Sequence, residues 1–193
     1  MTKDLTKGNP TKLILLFTLP LLLGNVFQQF YSMADTVIVG RTISVNALAA
    51  VGATGSIMFL ILGFAQGLTS GFAIITAQRF GAEDFEGVRR SVATSVILSA
   101  AITVVLTIIS MLLAMPVLKI MNTPPEIIED AYRYLIVIYG GIGASVLFNL
   151  LSNIIRALGD SKTPLVFLII ACILNIALDF IFILNFSMGV AGA

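Results

Sequence analysis

The chain has 193 residues, of which 58% are apolar and only 11% charged, against about 45–50% and roughly 25% in ordinary soluble domains. One soluble core of this size cannot hide that excess, and a net charge of +1 leaves no basic footprint for nucleic acid. With no His and a single cysteine, Cys172, an intrachain disulfide and any His-built zinc, haem or triad site are also excluded.

Charge-poor windows of about 20 residues, enough to cross roughly 30 Å of hydrocarbon, predict an all-α bundle of five transmembrane spans. They fall at about 13–38, 55–78, 91–115, 132–156 and 163–186. The stretch from Thr42 to Gln78 is charge-free but too long for one crossing, so Thr42–Ala53 reads as a connector. Pro116 and then Pro124-Pro125 end the third span, and Asp179 is the charge inside the fifth. Residues 1–193 thus form one membrane-spanning lobe, and the tail 187–193 reads as a loop leading to a missing helix. A cleaved signal peptide is a rival for the first span, with Lys3, Lys7 and Lys12 ahead of an apolar run. That run exceeds the usual length of about 7–15 residues, and Gln28 and Gln29 intrude before the supposed cut.

Basic residues set the orientation. With the N-terminus inside, the inner segments carry Lys3, Lys7, Lys12, Arg79, Arg89, Arg90, Arg156 and Lys162. The outer ones carry Arg41, Lys119 and Arg133. The N-terminus is therefore expected to be cytoplasmic.

Some residues do not belong in lipid. Gln28, Tyr31 and Asp35 fall within roughly 60° of arc on the first span. A charged Asp facing lipid costs at least a few kcal/mol, so this face turns into the bundle, or Asp35 sits at the outer interface. On the fifth span Asn175 and Asp179 stack four apart. Packing through polar hydrogen bonds explains Asn175 well and Asp179 poorly. Two membrane carboxylates with amide and phenol companions resemble an ion or proton site, and oxygen ligands of this kind suit a hard cation such as Na⁺ as well as H⁺. Asn149 and Asn153 on the fourth span either pack helix on helix or line a cavity. Gly63, Gly67 and Gly71 form a small-xxx-small series that predicts a close helix partner. Pro20 removes one backbone hydrogen bond and makes the first span a candidate hinge.

Pro20 followed by Gln28–Gly40 (QQFYSMADTVIVG), Gly67–Gly81 (GLTSGFAIITAQRFG), Arg156–Asp160 (RALGD) and Asn175–Asp179 before Gly189–Ala193 (GVAGA) occur in order along nearly the whole chain. Together they resemble the multidrug and toxic compound extrusion (MATE) transporters. The resemblance implies the N-terminal lobe of a two-lobe, twelve-helix antiporter in the plasma (inner) membrane. Such a protein exports small organic, often cationic compounds or drugs by alternating access and is not an enzyme. It implies that Asp35, Asn175 and Asp179 form the coupling-ion site for Na⁺ or H⁺, with no other cofactor. Gln28, Tyr31 and Asn153 would line the cavity, and Asn149, one turn from Asn153, joins them as a candidate. Family members are more than twice this length, so the sixth helix and the second lobe are expected to be missing here.

Three other functions compete. A lipid-linked sugar flippase shares the architecture, but a bulky anionic cargo calls for several cavity cations and only Arg156 is placed for that. An intramembrane aspartyl protease needs paired carboxylates, yet its GxGD pattern is absent from the spans; Ala157–Asp160 (ALGD) lies in a loop. A passive channel lacks a filter loop or a polar ring.

Overall fold

The structure is a computed structural model that describes residues 9–186 and 189–192. Lys3, Lys7 and most of the tail's start lie outside the described residues, as does Ala193. Among the described residues there are α-helices and no strands: α1 (Pro10–Thr42), α2 (Val45–Gly81), α3 (Phe85–Ile120), α4 (Ile128–Gly140), α5 (Ile142–Ala157) and α6 (Lys162–Phe180). A π turn, Ile181–Asn185, continues α6, and a 3-10 turn follows at Gly189–Gly192.

Four helices are long and apolar enough to cross a membrane by length and composition, and α4 with α5 makes a fifth crossing if the bent pair counts as one. The chain is a multi-pass membrane protein. At about 1.5 Å per residue, the 33, 37 and 36 residues of α1, α2 and α3 each exceed a roughly 30 Å core. They must tilt or project beyond it.

The expected connector at Thr42–Ala53 is not there. Ser44 caps α2, its hydroxyl accepting from the Ala47 N–H at 3.0 Å, and helix runs on from Val45. The charge-free excess is absorbed by a longer helix rather than by a turn. Pro116 does not end α3 either. The helix passes through it to Ile120 and stops where Asn122 takes a left-handed φ of 54°. There the Thr123 N–H reaches back to the Leu118 carbonyl at 3.1 Å, the hydrogen bond of a Schellman ending. The fourth expected span, 132–156, is broken between Gly140 and Ile142, where α4 and α5 meet at 47°. Adjacent glycines are a recognised cause of such kinks.

The bundle has two parts that matter for the site. A core formed by α2, α3, α4 and α5 meets on Ala50, Leu118, Leu135, Tyr139, Ile142 and Val146. Helix α1 packs chiefly along α6, where a side chain at Gly24 would touch Leu168 and Leu165 at 3.6 and 3.8 Å. A second cluster closes the junction of these parts: Val39 of α1, Ala47 of α2, Tyr134 of α4 and Val190 of the 3-10 turn.

Candidate functional site

The α1–α6 seam brings both membrane carboxylates into the protein. Asp35 is half-buried on α1, and Asp179, on the last turn of α6, is 2% exposed. They lie within electrostatic reach of each other. Asp35 Oδ1, Asp179 Oδ2 and Asn175 Oδ1 are all buried, and none finds a hydrogen-bond donor among the described residues. Three oxygens left unsatisfied on facing helices cost too much to be incidental. Protons on the carboxyls or a hard cation among the oxygens would satisfy them, so the donor set fits either ion.

Tyr31, one turn before Asp35, is half-buried and within electrostatic reach of both carboxylates. Gln28 continues the same stripe but is exposed. The predicted polar face of α1 therefore runs from an exposed end at Gln28 to a buried end at Asp35. Pro20 is buried further back on α1, and the helix passes through it unbroken.

Tyr134 is the residue that sequence reasoning missed. It is 6% exposed on α4 and sits within electrostatic reach of Asp35, Tyr31 and Asp179. Its only signal was a hydroxyl inside an apolar run, which also suits a membrane-interface tyrosine. Val190 covers it from the 3-10 turn, a contact that is not legible locally.

Asn149 and Asn153 sit apart from this cluster. Asn153 Nδ2 donates across to Thr69 Oγ1 at 3.1 Å and Ser70 Oγ at 3.3 Å, tying α5 to α2. Arg156 Nη1 donates to Asn153 Oδ1 at 3.4 Å. Asn149 Nδ2 donates to the Ser145 carbonyl of its own helix. Among the described residues the Gly63, Gly67 and Gly71 series does not seat a helix, because no atom of another helix lies within 4 Å of where a Cβ would stand at any of them. The packing face of α2 is instead Ala65, Thr69 and Ala73. Two positions along, it lies about 200° round the helix from the glycines.

A family profile for MatE matches residues 20–181. The chain belongs to the MatE family. The probable multidrug resistance protein YpnP of Bacillus subtilis (strain 168) is 34% identical over 190 residues, covering 98% of this chain and 43% of YpnP. A probable multidrug resistance protein NorM from Thermotoga maritima is 29% identical over 186 residues, covering 94% of this chain and 40% of its own. Among solved structures, a MOP superfamily transporter from Pyrococcus furiosus superposes with a TM-score of 0.91 at 31% identity. That match covers 100% of this chain and 43% of the transporter, whose binding pocket is described as having reverse polarity. The chain thus spans less than half the length of these MatE relatives, and its all-helical membrane architecture is that of one part of them.

Proposed function

We propose that the chain is the N-terminal lobe of a cation-coupled exporter of small organic compounds, seated in the plasma membrane with its N-terminus in the cytoplasm. The supporting observation is the trio of buried, unpartnered oxygens on Asp35, Asn175 and Asp179. H⁺ or Na⁺ is the coupling ion, taken up where two carboxylates and a carboxamide meet. Tyr31 and Tyr134 bring hydroxyls to the same cluster. Gln28, Tyr31, Asn149 and Asn153 supply the polar positions on the substrate side, where organic cations suit a face that carries few fixed positive charges. A second lobe, from polypeptide beyond this chain, closes the cavity.

Two nearby carboxylates in a poorly hydrated site do not both stay ionised without a cation. Occupancy changes the local charge by one unit, and that favours one arrangement of α1 against α6 over another. A ligand shifts such an equilibrium only by its differential affinity for the two arrangements. Ion and substrate therefore need not touch; each need only prefer a different arrangement.

The test uses the complete transporter in vesicles, with efflux of a fluorescent organic cation read against imposed H⁺ and Na⁺ gradients. Asp35→Asn and Asp179→Asn should each abolish gradient-driven efflux, and the double variant should be little worse than either one. Single variants that keep the parent's ion dependence would sink the reading, and so would defects that simply multiply.

A further inference from the structure

A cleft of about 420 Å³ opens between the end of α2 and the start of α3, away from the carboxylate cluster. Its rim carries Arg79, Asp84, Glu86 and Arg90, and its walls Phe72, Ile75 and Leu98. Leu98 lies eight residues beyond Arg90 on α3, or about 12 Å deeper by helical rise. Polarity falls along the cleft in the same direction, from charged rim through Ser91, Thr94 and Ser95 to apolar wall. Thr76 and Ser91 hydroxyls, 2.9 Å apart, pin the two helices together beneath it.

The rim has two cations and two carboxylates, so its formal charge is zero. Arg79 pairs with Asp84 at 2.7 Å, and Arg90 pairs with Glu86 one turn away. Exposed pairs contribute little to stability, and the well-exposed Arg90–Glu86 pair has little holding it together, whereas Asp84 also caps α3. We propose that this cleft binds a zwitterionic, amine-bearing phospholipid of the leaflet it faces. The phosphate is taken by the Arg79 and Arg90 guanidiniums, the ammonium by Glu86 and Asp84, and the first acyl carbons by Phe72, Ile75 and Leu98. An anionic headgroup would gain the arginines but meet two carboxylates, so charge complementarity favours the zwitterion. The ammonium of phosphatidylethanolamine donates hydrogen bonds to a carboxylate, whereas the choline headgroup has no N–H to give.

Native mass spectrometry tests this on the complete transporter in micelles doped equally with phosphatidylethanolamine and phosphatidylglycerol of matched acyl chains. One phosphatidylethanolamine should be retained over phosphatidylglycerol by about fivefold, the ratio that ~1 kcal/mol gives. Glu86→Gln combined with Arg90→Gln should bring the ratio to parity; both side chains are well exposed, so folding is not at stake. A photo-reactive phenylalanine at Leu98 should crosslink to phosphatidylethanolamine in preference, while one at the outward-facing Phe59 should label both lipids alike. Retention in proportion to supply, unchanged by the double substitution, would overturn the proposal. Crosslinking from Leu98 to a second copy of the chain would overturn it too.

Discussion

Gly87 has the least room of the glycines on the α2–α3 hairpin. A Cβ there would overlap the Asp84 carboxylate and stand 2.9 Å from Arg79 Cδ. Asp84 uses both oxygens at this place: Oδ1 accepts the Gly87 N–H at 2.9 Å to cap α3, and Oδ2 takes Arg79. The Gly87 N–H and Arg79 hold its carboxyl below the usual range. Gly87→Ala should displace the carboxylate and lose the cap, read as a lower midpoint in thermal unfolding. Asp160 plays the same part for α6. Its carboxylate accepts from the Thr163 hydroxyl at 2.7 Å and from the Thr163 and Lys162 N–H groups at 3.1 and 3.0 Å. Those bonds, the hydroxyl's first, hold its pKa down at about 2 against an ordinary 3.8. A depressed carboxylate stabilises the fold above its unfolded pKa and loses that contribution as pH falls through the folded value. Protection against hydrogen exchange at the start of α6, taken relative to the intrinsic rate at each pH, should therefore fall between about pH 4 and pH 2, and Asp160→Asn should flatten that profile. Unchanged protection over that range would mean that the cap carries no weight.

At the scale of elements, α1 carries both the candidate hinge and half of the candidate ion site. Pro20 lies 15 residues before Asp35 on one unbroken helix. The Leu16 carbonyl therefore lacks its usual N–H partner, which makes that turn the least costly place for α1 to bend. In the complete transporter Pro20→Ala should slow export while expression and thermal stability stay near the parent's; an unchanged rate would make it an ordinary packing proline. Periodicity and charge-free length made the apolar helices legible, as well as the face shared by Gln28, Tyr31 and Asp35. They could not reveal that α2 absorbs the supposed connector, because a charge-free helix end looks like a charge-free turn. The Gly63–Gly71 stripe misled for a related reason. Small residues permit a close neighbour without supplying one, and in α2 the alanines and threonines on the other side seat the partners.

At the scale of the whole molecule, most of the described basic residues fall at one end of the alternating helices, with Arg41, Lys119 and Arg133 at the other. Lys12, Arg79, Arg89, Arg90, Arg156 and Lys162 stand at or beside the turns that join α2 to α3 and α5 to α6, or at the start of α1. The positive-inside rule makes that side the one expected to face the cytoplasm. A cysteine at exposed Ala82, in a Cys172→Ser background, should react with an impermeant maleimide only after the membrane is opened. Labelling in intact cells would invert the topology. The candidate ion site was half legible. Asp35 and Asp179 announced themselves as charges in apolar runs, but Tyr134 reaches them only through tertiary packing.

The contact of Val190 with Val39, Ala47 and Tyr134 also has a temporal side. It joins positions about 150 residues apart, and the polypeptide is made from its N-terminus. While α6 is emerging, the junction beside Asp35 has its helices but not its last apolar cover. Tyr134, which lies near both carboxylates, stays without that cover until Gly189–Gly192 folds back. Synthesis arrested just short of that turn would leave the helices made and Tyr134 without that apolar cover.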